Sequence, residues 1–367
     1  MKENIGQLDK YYGDLFLFLV LGISFFGAIM IFSTTAPQNA GPYLFFKKQV
    51  IFIFIGLVMC CLVEKVKFQN YKKITEILLA VNVLLLVYVL FFSSEIKGAH
   101  RWIKVPFFGN FQPSELTKIT VVLFVAKFLD RYRSKIVSFK REVLVLLGVV
   151  FFICAIIIIQ PDIGIPIVIF STTISLLFIS GVKLDVVSKV IFIMLLILAI
   201  STILAPHRIK RIMTFLDPWK YHNAEGYQLV QSYLALSYGH LLGRGLGKSQ
   251  FKEFYLPEAH TDFIFSVIGE ELGFVGSVGV IVAFVIFFFL VTKMAEGTES
   301  FYGSILIYGM ALNIVLQAFV NVAVVCGLLP TKGLGLPFIS YGGSSLITNF
   351  ISVGIILGVW KQSVKKF

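Results

Sequence analysis

Long apolar runs recur from one end of this 367-residue sequence to the other, and they restrict the chain to a membrane fold. Each run is close to the roughly 20 residues that an α-helix needs to cross the hydrocarbon core of a bilayer. The runs lack the apolar and polar alternation of a membrane β-strand. With 57% hydrophobic and 14% charged residues, the chain cannot give a water-soluble globule a polar surface. The sequence therefore predicts an all-α polytopic membrane protein.

The apolar runs predict about ten transmembrane helices, and the first run is too long for a signal-peptide core, so it is interpreted as a span. The predicted spans are 15–33, 47–63, 75–92, 114–129, 142–159, 164–180, 187–204, 262–291, 302–326 and 338–360. Short connections on the side of both termini carry about 18 Lys and Arg residues, against about 6 on the other side. Because cytoplasmic loops concentrate these residues, both termini are predicted to be cytoplasmic. Residues 1–367 are predicted to form a single transmembrane domain.

The net charge of +12 is assigned to this orientation signal, so no nucleic-acid partner is expected. Two outer segments, 93–115 and the long loop 205–261 between helices 7 and 8, differ from simple turns. The long loop exceeds the roughly 15 residues above which an unstructured connection is usually functional or disordered. Its amphipathic segment 226–241 predicts a helix that lies at the membrane surface or packs into the bundle. All five histidines lie in these two segments, without the i, i+4 spacing of a zinc pair, so no metal-ligating residues are predicted.

The stretch LPEAHTDFIFSVIGEELG (256–273) places Glu258, His260 and Asp262 where a polar loop meets an apolar helix. Ionisable residues in membrane segments are costly, which favours a function. The alternative is that Asp262 only caps the helix, and the residues alone leave these two interpretations even. Glu270 and Glu271 lie about 100° apart on the same helix, so they cannot both face one cavity squarely. A structural or conformational role is predicted for them.

Four other motifs combine polar residues with helix ends. In QPSELTK (112–118), Glu115 and Lys118 share a helix face; an ion pair at this depth that served stability alone would be expensive, which favours function. Asp162 in QPDIG (160–164) is equally consistent with a helix cap and with a functional residue.

The segment LGRGLGKS (242–249) contains glycines that could bind an anion, although a flexible turn explains them equally well. The segment 327–346 packs Pro, Gly, Ser and Tyr around the start of the last helix, as broken helices do where they line a cavity. The alternative for this segment is a loop with a glycine-rich helix entry.

These motifs, taken in order along nearly the whole chain, resemble those of the SEDS proteins of bacterial cell-wall synthesis. Ala259 in PEAHTD, Gly269 in GEELG and Thr331-Lys332 in LPTKGL resemble the FtsW, or cell-division, branch more than the RodA, or elongation, branch. The segments that carry the resemblance are GAHRWI (98–103), QPSELTK (112–118), QPDIG (160–164), FLDPWKYHNAEGYQLVQS (215–232), YLPEAHTDFIFSVIGEELGFVG (255–276) and LPTKGLGLPFISYGGSSL (329–346).

The resemblance implies a peptidoglycan glycosyltransferase that polymerises lipid II at the outer face of the bacterial cytoplasmic (inner) membrane during septal wall synthesis. It implies that Asp262 is the general base and that undecaprenyl pyrophosphate is the leaving group. The substrate-binding residues expected by motif are Arg101, Trp102, Glu115, Lys118, Asp162, Glu258 and His260.

The same resemblance suggests Mg²⁺ or Mn²⁺ as a cofactor. The expected partners are lipid II, the growing glycan strand, membrane lipid, other division-complex membrane proteins and a class B penicillin-binding transpeptidase. Three alternatives stay open: a lipid II flippase, an elongation polymerase of the RodA type, and a scaffold for division proteins. Polymer formation distinguishes the first and third from an enzyme.

Overall fold

A computed structural model describes residues 2–35, 42–93, 100–105, 109–133, 140–203, 206–224, 226–252 and 256–363. Parts of the first predicted outer segment, 94–99 and 106–108, therefore lie outside the described residues. The helices are α1 (Lys2–Thr35), α2 (Pro42–Glu64), α3 (Phe68–Phe92), α4 (Pro113–Arg131), α5 (Lys140–Ile159), α6 (Gly164–Ile179), α7 (Leu184–Ile203), α8 (Pro206–Leu216), α9 (Tyr227–Tyr238), α10 (Ile264–Glu296), α11 (Phe301–Val325) and α12 (Gly343–Ser363).

Helices α1–α7 and α10–α12 correspond to the ten predicted spans, so the prediction of an all-α polytopic membrane protein is confirmed. Within the described residues, seven helices are long and apolar enough to cross a bilayer by length and composition alone. Helix α6 has 16 residues, which gives a length of about 24 Å. Helix α4 carries the charged residues Glu115 and Lys118 in its buried first turns. Short or charged helices of this kind need protein neighbours within the membrane.

Several predicted boundaries differ from the structure: α2 begins at Pro42 rather than at residue 47, α3 begins at Phe68 rather than at 75, and α10 ends at Glu296 rather than at 291. The first outer segment contains a hairpin in which β1 (Ile103–Val105) pairs antiparallel with β2 (Gly109–Phe111). The last helix begins at Gly343 rather than at residue 338. The Leu336 amide donates to the Ser340 hydroxyl and the Tyr341 amide donates to a carbonyl before α10, so residues 338–342 are not helical.

Most residues of α11 and α12 are buried, which places these helices at the centre of the bundle, whereas few residues of α2 and α3 are buried. Close backbone contact between α2 and α12 depends on small residues. A Cβ atom added at Gly354 would lie 2.6 Å from the carbonyl oxygen of Cys60, and one added at Gly358 would lie 2.7 Å from that of Glu64. These contacts hold the second half of α12 against the last turns of α2.

The amphipathic segment predicted in the long outer loop forms α9 and packs into the bundle rather than lying on the membrane surface. Leu229 and Val230 are buried, and the buried Ser232 hydroxyl donates to the carbonyl of Val325 at 3.0 Å. Leu241, which was expected on the same face, lies beyond the helix and is 62% exposed. The prediction is therefore correct for the helix and wrong for its last turn.

Candidate active site

A non-helical stretch between α11 and α12, the outer segment 327–342, is held in place by side-chain amides of α11. Gln317 Nε2 donates to the carbonyl of Gly335 at 2.9 Å, and Asn321 Nδ2 donates to that of Leu334 at 2.7 Å. Gln317 and Asn321 are four residues apart, so they lie on one face of the helix. The amides replace the hydrogen bonds that a continuous helix would supply.

Asp262 lies against this outer segment, and three hydrogen bonds hold the backbone of residues 260–262. Asn321 Nδ2 also donates to the Asp262 carbonyl, at 2.8 Å. The Ser340 hydroxyl donates to the carbonyl of Thr261, and the Tyr341 amide donates to that of His260 at 2.9 Å. The N-cap of α10 is Phe263, so Asp262 lies one residue ahead of the cap position. Three successive carbonyls are thus bound to the α11–α12 region, which positions the Asp262 carboxylate.

Gly333 provides the surface on which this carboxylate rests. A Cβ atom added at Gly333 would lie 3.1 Å from Asp262 Oδ2, which is closer than an ordinary van der Waals contact. We expect Gly333→Ala to displace the carboxylate and lower the catalytic rate about tenfold, since small misplacements of catalytic groups are costly. The measurements are the initial rate of glycan polymerisation and the melting temperature of the purified protein.

Gly342→Ala is the matched control, because a Cβ atom there meets nothing closer than Ser345 Cβ at 3.9 Å. Equal rates for the Gly333 and Gly342 variants would contradict the proposed contact.

The Glu115–Lys118 ion pair predicted from spacing is present and buried at the start of α4. Lys118 Nζ lies 2.7 Å from Glu115 Oε2, and the two side chains are 4% and 7% exposed. Lys118 Nζ also donates to Gln317 Oε1 at 2.6 Å, which connects the pair to the outer segment 327–342. Buried ions need such additional hydrogen bonds to offset desolvation. The functional assignment of this pair stays a prediction.

Asp162 lies in the buried turn between α5 and α6. Its carboxylate accepts hydrogen bonds from the Ile165 amide at 3.4 Å and from Gln112 Nε2 at 3.2 Å, so it does cap α6. Burial raises the pKa of Asp162, and the positive charge of Arg101 opposes that shift. Arg101 Nε donates to the Gln160 carbonyl at 2.9 Å, and its guanidinium lies 5.8 Å from the Trp102 ring centroid. The structure therefore groups Arg101, Trp102 and Asp162 around this turn.

Lys332, in the outer segment 327–342, lies within electrostatic range of Asp162 and was not predicted from the sequence as a site residue. Burial, and secondarily the charge of Arg211 on α8, lowers the pKa of Lys332 to about 8, while Asp162 acts in the opposite direction. The next residue is Gly333, which contacts Asp262. A lysine within the glycine-rich motif LPTKGL was a visible signal, but its position depends on how the chain folds. Lys332 therefore precedes the glycine that contacts Asp262 and is within electrostatic range of Asp162.

Glu258 and His260, the other predicted site residues, support the loop that carries Asp262. Glu258 has a φ of 57°, and its carboxylate accepts the Thr261 hydroxyl at 2.9 Å. The His260 ring lies 5.0 Å from the Phe45 ring and 5.9 Å from the Tyr341 ring. These contacts shape the loop, and a direct contact of either residue with substrate stays a prediction.

Glu270 and Glu271 have the structural surroundings predicted for them. The Gln250 amide donates to Glu270 Oε1 at 2.7 Å, and Lys252 Nζ donates to Glu271 Oε1 at 2.7 Å. Upstream in the same loop, the Arg244 and Gly245 amides donate to the carbonyls of Glu270 and Glu271 at 3.0 and 2.9 Å. These two amides are thus committed within the protein, which argues against the anion-binding alternative for 242–249.

Comparisons with known proteins agree with the architecture. A sequence model of the FtsW/RodA/SpoVE family, described as cell cycle protein, matches residues 14–365. The chain belongs to this family. Similar relatives include the probable peptidoglycan glycosyltransferase FtsW of Geobacter sp. (strain M18), 37% identical over 95% of this chain and 96% of that protein. The probable peptidoglycan glycosyltransferase FtsW of Coxiella burnetii (strain RSA 493 / Nine Mile phase I) is 38% identical over 88% of each chain.

Two solved structures share the fold of this FtsW/RodA/SpoVE family member. A chain of a peptidoglycan synthase complex that coordinates polymerization and crosslinking aligns with a TM-score of 0.80 at 26% identity, over 95% of this chain and 97% of that one. The rod-shape-determining protein RodA of Thermus thermophilus aligns with a TM-score of 0.69 at 25% identity, over 95% and 96%. In sequence, the chain is therefore more similar to the FtsW relatives above than to this RodA.

Proposed function

We propose that this family member is a peptidoglycan glycosyltransferase that polymerises lipid II into glycan strands at the outer face of the cytoplasmic membrane. The observation that carries the proposal is Asp262, a carboxylate whose backbone is fixed by Asn321, Ser340 and Tyr341 and which rests on Gly333. The similarity to the probable peptidoglycan glycosyltransferases of Geobacter and Coxiella supports it. Orientation with both termini in the cytoplasm puts this end of the bundle outside.

In the proposed reaction, Asp262 acts as general base. The C4 hydroxyl of an acceptor GlcNAc attacks the anomeric carbon of a donor MurNAc, and the bond from that carbon to undecaprenyl pyrophosphate breaks. The hydroxyl proton passes to the Asp262 carboxylate as the new glycosidic bond forms. A positioned base of this kind typically contributes about 10²–10⁴-fold to the rate.

The departing pyrophosphate gains negative charge and needs fixed cations. Lys332 and Arg101 are the proposed partners, since Lys332 is adjacent to the Asp262 contact and Arg101 retains further guanidinium donors beyond the two that bind backbone carbonyls. Lys118 is paired with Glu115 and donates to Gln317, so its role in the proposal is to hold the Gln317 side chain in place. Lys118, which the resemblance gave as a substrate-binding residue, is therefore proposed to act through Gln317 rather than by direct contact with the pyrophosphate.

A divalent cation belongs to the proposal only as an ion that the pyrophosphate of the substrate would bring to the site. In the described parts of the chain, no group of three His, Cys, Asp or Glu side chains is placed to hold a metal ion. The side chains there do not fit a protein-ligated Mg²⁺ or Mn²⁺, and the steps above require only residues of this chain. The pyrophosphate oxygens would have to supply most ligands of any bound cation.

The test is to supply lipid II to the purified protein in lipid vesicles, with and without a class B penicillin-binding transpeptidase, which is the proposed partner. Glycan polymer on a gel supports the enzyme. Unpolymerised lipid II that becomes accessible on the opposite leaflet supports the flippase. Unimpaired growth of cells carrying changes at Asp262 and Glu115 supports the scaffold. The proposed assignment to septal rather than elongation synthesis is tested by whether depletion blocks division or rod shape.

If Lys332 binds the pyrophosphate, the activity should fall at alkaline pH. As the pH rises through about 8, Lys332 loses its proton and the pyrophosphate loses a positive partner. We therefore expect kcat/KM for lipid II to fall by up to about tenfold per pH unit above that value. Rates measured between pH 6 and 10 in vesicles give the profile.

Lys332→Arg supplies the control, because an arginine stays protonated throughout this range. Its profile should lose the alkaline decline. A decline that persists unchanged in Lys332→Arg would assign the titration to a different group.

A further inference from the structure

Helix α8 is amphipathic, and its apolar side faces away from the protein. Ile209, Ile212, Met213 and Leu216 fall within about 100° of arc on a helix with 3.6 residues per turn. They are 39%, 39%, 51% and 70% exposed. Thr214, about 140° away from Ile209 on the same helix, is 2% exposed. On a water-soluble protein, a surface helix buries its apolar side and exposes its polar side; here the apolar side is exposed and Thr214 is buried.

The opposite side of α8 carries polar residues. Arg211 is exposed, and its charge acts on Lys332. Thr214 is enclosed by protein. The polarity of α8 therefore matches a helix with polar groups on one side and an apolar medium on the other.

The end of α7 places α8 at the membrane boundary. Ile200 and Ile203, in the last turn of α7, are 48% and 70% exposed, and α7 packs against α8. Only residues 204–205 separate the two helices, so α8 starts within about 10 Å of the end of α7. Trp219, just beyond α8, is 56% exposed, and tryptophan is enriched where bilayer meets water.

We propose that α8 lies in the outer leaflet as an interfacial helix, with the stripe of Ile209, Ile212, Met213 and Leu216 among phospholipid acyl chains. The stripe continues the exposed apolar surface of α7, which argues for lipid as its occupant. Four side chains are far fewer than the roughly 20–30 residues per side of a stable protein interface. The exposed Lys210 and Lys220 lie where they can meet headgroup phosphates. The lipid contact is independent of the proposed glycosyltransferase activity.

The test measures the depth of α8 in the full-length protein, in vesicles of phosphatidylethanolamine and phosphatidylglycerol. A nitroxide is attached at Met213→Cys or, as the control on the same helix, at Lys210→Cys, after replacement of the four native cysteines. At residue 213 we expect more collisions with oxygen than with an aqueous nickel chelate, at a depth of about 5–10 Å. At residue 210 we expect the opposite ratio.

Two outcomes would overturn the proposal. Dominant collision with the nickel chelate at residue 213 would place the stripe in water. Exclusion of both reagents would show that protein covers it, and spin–spin broadening would identify that protein as a second copy. If the cysteine replacements prevent folding, bromine on the acyl chains should quench the fluorescence difference between the wild type and Trp219→Phe. No quenching of that difference would equally overturn the proposal.

Discussion

Replacing Asp262 by asparagine is expected to slow lipid II polymerisation by about 10²–10⁴-fold while leaving the fold intact. The amide keeps the size of the carboxylate but cannot take the proton of the attacking hydroxyl. The backbone contacts from Asn321, Ser340 and Tyr341 use carbonyl oxygens, so they do not depend on the side chain at residue 262. The measurement is the initial rate of strand formation in vesicles, alongside the melting temperature.

Asp185→Asn is the matched control for this change. Asp185 lies in the first turn of α7, its side chain is 64% exposed, and it pairs with Lys189 four residues later. We expect the Asp185 variant to polymerise at the wild-type rate, because the pair is solvated and lies outside the candidate site. Wild-type rates in Asp262→Asn would instead show that another group accepts the proton and that the base assignment is wrong.

The transmembrane layout could be predicted from sequence because one effect dominates it. Hydrocarbon excludes unpaired backbone groups, so every long apolar run must become a helix. The hairpin of β1 and β2 has no comparable signal, since its three-residue strands lie in a segment mixed in charge, glycine and proline. The start of the last span was misplaced for a related reason. Residues 338–342 are apolar enough for a helix, but their backbone groups pair with distant partners.

The candidate site likewise has features that could be predicted from the sequence and features that could not. The Glu115–Lys118 pair was predictable because helix geometry brings residues three apart together. Gln317 and Asn321 are amide side chains four residues apart in an apolar helix, a pattern that can indicate a polar helix face. Their partners could not be predicted, because the carbonyls that they bind lie in a non-helical segment. The position of Lys332 could not be predicted, since its neighbours Arg211 and Asp162 come from two other parts of the chain.

The second large effect is expected from Lys252→Met, which should destabilise the fold by about 3–5 kcal/mol, the usual cost of leaving one partner of a buried ion pair uncompensated. Lys252 Nζ lies 2.7 Å from Glu271 Oε1, and the two side chains are 2% and 0% exposed. The Ser33 hydroxyl of α1 donates to the same carboxylate at 2.7 Å. The free energy of unfolding, or the melting temperature in detergent, measures the effect.

The double variant Lys252→Met/Glu271→Gln separates the buried charge from the lost contact, since it leaves neither ion uncompensated. We expect it to be more stable than either single variant. Lys293→Met is the control for charge removal alone. Lys293 pairs with Glu296, and those side chains are 42% and 55% exposed, so about 1 kcal/mol or less should be lost. A Lys252 variant as stable as the Lys293 variant would mean that the first pair is solvated.

The cost at Lys252 should extend beyond one ion pair, because helix α10 is interrupted where Glu271 lies. Gly273 has a φ of 69° and a ψ of −165°, which breaks the helix and leaves backbone groups to be satisfied. The Phe274 amide donates to the His240 carbonyl at 2.9 Å, and the Arg244 amide donates to the Glu270 carbonyl at 3.0 Å. The loop segment 240–252 therefore completes the broken helix. Since the first part of α10 follows directly from Asp262, loosening this loop should lower polymerisation and stability together, whereas Asp262→Asn should lower polymerisation alone.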